Sequence, residues 1–160
     1  MSPNRDGTSV ALIKTIFNDA FGYLSPDGRY LANYSNPSGQ DEVYVKSFPE
    51  GENEWQISDN GGQWPRWSPK GNELFYLEKL SNSFMTVKVE SGSGFEKGSP
   101  RKLFTMPEGV ELDNSNLFRL YDVAADGQRF LMTRSVGETS QNEATITVVQ
   151  NWAKEFEGRE

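Results

Sequence analysis

The chain has 160 residues, 35% of them hydrophobic and 12% aromatic, which is enough apolar material for the core of one domain. Sixteen Lys and Arg stand against 23 Asp and Glu, and a net charge of -7 argues against nucleic acid or anionic lipid as a partner held by general attraction. Cysteine and histidine are both absent, which excludes disulfides, thiolate nucleophiles, cysteine zinc sites and a Ser-His-Asp triad within the chain.

No apolar run approaches the roughly 20 residues of a transmembrane helix. The start, Met1-Ser2-Pro3-Asn4-Arg5-Asp6-Gly7, lacks the charged and apolar regions of a signal peptide. A chain without cysteine suits cytoplasm and periplasm alike, so composition leaves the location open.

In chain order, residues 8–15, with Val10, Ala11, Leu12 and Ile13, read as a leading strand with no hairpin partner of its own. Residues 21–24 and 29–34 form a pair of strands around Ser25-Pro26-Asp27-Gly28. That turn has a mechanism: a type I turn favours Ser or Asp first and Pro second, and a left-handed glycine in fourth place closes the hairpin with a bulge. Strands at 41–47 and 54–57 complete a four-stranded unit over residues 20–58. The same order returns at Trp64-Pro65-Arg66-Trp67-Ser68-Pro69-Lys70-Gly71, with strands at 63–67, 72–78, 83–89 and 101–104 and a Gly/Ser loop across 92–98. It returns again at Leu120-Tyr121-Asp122-Val123-Ala124-Ala125-Asp126-Gly127, with strands at 117–123, 128–134 and 144–150 but no fourth. Residues 151–157 could start a short helix capped by Asn151, within a tail over 151–160.

Gly28 and Gly71 are 43 residues apart, the period of a four-stranded propeller blade. Gly71 and Gly127 are 56 apart, and the excess is a polar insertion over 105–116, a loop on one face. Leu74-Phe75-Tyr76-Leu77 and Phe130-Leu131-Met132 are apolar on both faces, as expected of sheets stacked face to face. The fold expected is therefore all-β: about three four-stranded antiparallel blades of a partial β-propeller, in one domain, the third blade (117–150) being incomplete.

The motifs resemble those of the TolB-type β-propellers, in particular the C-terminal half of such propellers as found after bacterial serine/threonine kinase domains. The matching stretches are Ser25-Pro26-Asp27-Gly28-Arg29-Tyr30-Leu31-Ala32, Asp41-Glu42-Val43-Tyr44-Val45, Phe48-Pro49, Pro65-Arg66-Trp67-Ser68-Pro69, Glu73-Leu74-Phe75-Tyr76, Asp126-Gly127-Gln128-Arg129-Phe130-Leu131 and the ending Ile146-Thr147-Val148-Val149-Gln150-Asn151-Trp152. Lys70 departs from the pattern, where aspartate is usual, and so does Ala124-Ala125, where Ser-Pro is usual; both weaken a turn. The resemblance implies roles in protein interaction, scaffolding or sensing, an extracytoplasmic location, and no catalytic residues to carry over.

Aligning the repeats on their turn glycines puts Tyr23, Arg66 and Asp122 at one position, two residues before the turn on the innermost strand. In a ring these side chains face the channel, where Arg66 and Asp122 are candidates for holding a peptide or for a structural ion pair. Trp64, Trp67 and Tyr76 read as core or blade interface. Gly92-Ser93-Gly94-Phe95-Glu96-Lys97-Gly98 has the wrong spacing for a nucleotide loop and no following helix, so it reads as a blade linker. No metal site, cofactor or catalytic site is expected.

The function expected is a non-catalytic module that binds a protein or peptide. The alternative is an accessory propeller that orients or gates an enzyme domain, peptidase or kinase, encoded outside this chain. Two arrangements complete a ring: missing blades in a longer parent chain, or a homodimer in which each leading strand completes the other copy's last blade to give six blades. Light scattering separates them.

Overall fold

The computed structural model describes residues 20–92, 94–106, 121–134 and 145–149. Three antiparallel sheets follow one another along the chain, with no helix among the described residues. The first contains β1 (Ala20–Leu24), β2 (Tyr30–Ser35), β3 (Glu42–Ser47) and β4 (Glu54–Gln56), paired in chain order. The second has β5 (Gln63–Trp67), β6 (Glu73–Glu78) and β7 (Ser83–Glu90) in order, and both β8 (Glu96–Lys97) and β9 (Arg101–Thr105) pair with β7. The third is β10 (Tyr121–Val123), β11 (Phe130–Arg134) and β12 (Thr145–Val149). Each is a propeller blade, with the strand order that the repeat demanded.

The leading strand at 8–15, most of the 105–116 insertion, the start of the third unit's first strand, residues 144 and 150, and the tail with its capped helix lie outside the described residues.

The three turns are near copies. Gly28, Gly71 and Gly127 have φ of 71°, 73° and 71°, and each donates its N–H to the carbonyl three residues back at 2.8–2.9 Å. A Cβ is rarely tolerated at that φ, which is why glycine recurs there. Where the first turn residue is serine, its Oγ accepts the N–H five residues on: Tyr30 N at 3.0 Å and Glu73 N at 3.2 Å. Ala124 has no such group, yet its turn keeps the same backbone bonds. The left-handed glycine in fourth place thus outweighs the departures at Lys70 and Ala124-Ala125.

In the first turn, burial opposes the charge of Asp27, but hydrogen bonds from Ser25 Oγ, Arg29 N and Arg29 Nε more than offset it and hold the carboxyl at about 2, against an ordinary 3.8. The folded-state value lies below the unfolded one, so this carboxylate stabilises the fold fully above about pH 4 and ceases to do so as the pH falls towards 2. Urea unfolding of wild type and Asp27→Asn between pH 2 and 6 checks it. The gap between the two proteins is expected to be widest near pH 5 and to narrow below pH 4, and a constant gap would contradict it.

One expectation needs correction. The 92–98 stretch is more than a linker, because Glu96–Lys97 forms a short strand against Glu90 and Val89. The reason is the length of β7: its eight residues outrun β9, which pairs only with Ser83–Thr86, and the surplus edge takes up β8 instead. Beside it Phe95 is buried, 5.0 Å from the Tyr30 ring and 4.7 Å from that of Trp55. The loop thereby fastens the second blade to the first, with Arg29 Nη1 donating to Gly92 O at 3.1 Å and Arg29 Nη2 to Ser91 O.

The core lies between blades. Tyr34 meets Trp64 edge-on at 6.4 Å across the first interface. At the second, Phe75, Phe84 and Phe104 of the middle blade pack on Tyr121 and Phe130 of the third. Trp64, Trp67 and Tyr76 are all buried, as interface residues.

Candidate binding face on the inner strands

Each blade begins with its innermost strand, and the first two of these carry a β-bulge at the same place: register shifts between Ala20 and Tyr23 in β1 and between Gln63 and Arg66 in β5. A bulge inserts a residue, bends the strand and re-aims the side chain that follows. In β5 this is extreme, because Trp64 adopts φ 51° directly before Pro65. A bulky residue in the left-handed region is strained and needs its surroundings to hold it. Two groups do so. The Trp64 ring is buried against Tyr34, and its carbonyl accepts the Tyr121 hydroxyl at 2.7 Å from the neighbouring blade.

The bulge presents Arg66 to Tyr23. The Arg66 guanidinium lies over the Tyr23 ring, 3.5 Å from its centroid, so two of the three sequence-aligned residues meet across the first blade interface. The Trp67 indole Nε1 donates to Tyr23 O at 2.9 Å, a side-chain-to-backbone bond that ties the same two strands. Both Tyr23 and Arg66 are half-buried.

Asp122 sits on β10, at the matching position of the third blade, and is exposed. Its Oδ1 accepts the Val123 N–H at 3.0 Å, and it lines a shallow cleft with Val123, Ala124, Arg129, Phe130 and Leu131. Tyr121, beside it, is fully buried, and burial pushes its hydroxyl well above the ordinary 10.0; Arg66 pulls in the opposite direction, while Tyr23 and Asp122 add to the rise. All three aligned residues therefore act electrostatically on one buried phenol. Sequence reasoning missed Tyr121, since the repeat places Gly22 and Pro65 at its position and nothing marks it as a clamp.

The turn carboxylates Asp27 and Asp126 are engaged locally, each paired with the arginine that follows, Arg29 at 2.9 Å and Arg129 at 2.8 Å. Among the described residues no helix is long and apolar enough to cross a membrane.

No family model matches the sequence, and no curated protein does. Solved structures do match. TolB from Acinetobacter baumannii superposes with a TM-score of 0.57 at 16% identity, over 92% of this chain and 33% of that one. A putative 6-phosphogluconolactonase from Bacteroides uniformis ATCC 8492 superposes with a TM-score of 0.50 at 19% identity, over 86% of this chain and 43% of that one. The chain thus spans well under two thirds of the length of the structures it matches. At such identities the likeness is one of fold, a β-propeller fold shared with TolB, of which these residues form consecutive blades.

Proposed function

We propose that the chain is a non-catalytic interaction module that binds a protein or peptide over the inner-strand face of its blades. The observation that carries this reading is the Arg66–Tyr23 stack, a guanidinium 3.5 Å from an aromatic centroid, on the strands that border a propeller's axis. Arginine and tyrosine are among the residues in which interfaces concentrate binding energy, and this pair is half-buried, with hydrogen bonds to the Tyr23 carbonyl and to the Trp64 carbonyl two residues before Arg66.

The ends of the blade array support a larger assembly around that face. Leu24 is 41% exposed where its repeat counterpart Trp67 is 8%, and Leu131 is 43% exposed where Phe75 is 0%. The middle blade is closed by its neighbours, and each end carries an apolar residue suited to a further blade, from a longer parent chain or from a second copy.

The binding reading is tested by selecting displayed random peptides on the wild-type protein and measuring their affinities for Arg66→Ala and Asp122→Ala. Loss of about tenfold or more is expected for Arg66→Ala, roughly the 1.4 kcal/mol or more of an interface anchor, with the thermal midpoint nearly unchanged. Equal affinities in both variants would remove this face from consideration.

A further inference from the structure

Arg66 differs from the other well-placed arginines. Arg29 is spent on Asp27 and on the Ser91 and Gly92 carbonyls, and Arg129 on Asp126. Among the described residues Arg66 takes part in no ion pair; those that occur are Arg29–Asp27, Lys46–Glu54 and Arg129–Asp126. Its guanidinium carbon instead lies over the Tyr23 ring, 3.5 Å from the centroid, the separation of a face-on stack. A guanidinium stacked through its face keeps its N–H donors in the plane of the group, directed outward along the edge, the geometry that matches the two oxygens of a carboxylate.

The backbone around the stacked pair is fixed at three points. Trp67 Nε1 fixes the Tyr23 carbonyl at 2.9 Å, the Tyr121 hydroxyl fixes the Trp64 carbonyl at 2.7 Å, and the left-handed Trp64 sets where β5 resumes. A side chain ordered before binding loses less rotamer entropy on binding, so the arrangement favours recognition by a single fixed contact. The charge balance sharpens the point. A chain of net charge -7 offers an acid no general attraction, so an anionic group is retained here only by a short-range, directional contact.

We propose that the Arg66 edge, backed by Tyr23, receives one carboxylate of a peptide ligand, either an acidic side chain or a free C-terminus. This rests on the binding reading above and gives it a chemistry.

Three matched arrays of random octapeptides test it: one with Asp or Glu and an amidated C-terminus, one without acidic residues but with a free C-terminus, and one with neither. Binding is expected on the first or the second array, and which of them binds identifies the source of the carboxylate. Arg66→Lys, which keeps the charge but not the fork, is expected to weaken the bound peptides at least about tenfold, and Arg66→Gln to abolish binding, at unchanged thermal midpoints. Equal binding on the third array, still lost in Arg66→Gln, overturns the carboxylate while leaving the binding face intact. Binding that ignores Arg66 overturns both readings, as does no binding on any array.

Discussion

Phe84→Ala is expected to lower the unfolding free energy by about 3–5 kcal/mol, the range for removing a fully buried aromatic ring. Phe84 is 0% exposed and has four aromatic neighbours: Phe75 at 6.0 Å, Phe104 at 5.0 Å, Tyr121 at 4.9 Å and Phe130 at 4.7 Å. Two of these belong to the next blade, so the ring is shared between sheets, and the space it leaves cannot close by a shift within one sheet. Its neighbours are also held by other bonds, Tyr121 by hydrogen bonds to Trp64 O and Phe75 O, which limits collapse further. Typical domains have about 5–15 kcal/mol of stability in total, so the variant is expected to lose a large share of it. Denaturant unfolding reads this as a lower midpoint at unchanged slope. Leu131→Ala, on a residue 43% exposed, is the control and should change stability by less than about 1 kcal/mol. A Phe84→Ala loss no larger than the control's would contradict face-to-face packing of the second and third blades.

The fold was legible where one residue's chemistry decides a local conformation. Gly28, Gly71 and Gly127 announced their hairpins because few other residues accept φ near +71° there. The alignment of those glycines then placed Tyr23, Arg66 and Asp122 in one column, and the contact between the first two follows from adjacent blades. What stayed hidden depends on how blades meet. Glu96–Lys97 carries no strand pattern, and it pairs only because β7 has edge to spare. Tyr121 acts through a hydroxyl that reaches two carbonyls of another blade, a relation with no sequence period. Glu42 looks like an ordinary charged strand residue, yet it is 6% exposed. Its burial is imposed by the connection between the first two blades, which no alternation of apolar residues records.

Glu42→Ala is expected to cost about 1.5–3 kcal/mol, the worth of buried hydrogen bonds to a charged acceptor. The Glu42 carboxylate sits where β3 begins and gathers the 58–62 connection onto it. Its two oxygens accept the Gly61 N–H at 3.0 and 3.1 Å, and Ser58 Oγ donates to Oε2 while itself accepting Val43 N–H at 2.8 Å. Alanine strands the Gly61 N–H in a buried place, whereas Glu42→Gln retains one acceptor oxygen and should cost less. The neighbouring Gly62 shows how tightly the clip is drawn. A Cβ there would stand 2.9 Å from Ser58 Cβ, Tyr76 Cδ2 and Val43 Cγ2, so Gly62→Ala should cost about 1–3 kcal/mol by pushing the connection off β3. Because both changes loosen the same segment, the double variant should lose less than the sum of the two. Unfolding measurements on the four proteins decide it. Strict additivity, or a Glu42→Ala loss within about 0.5 kcal/mol of zero, would mean that the carboxylate does not hold the blades together.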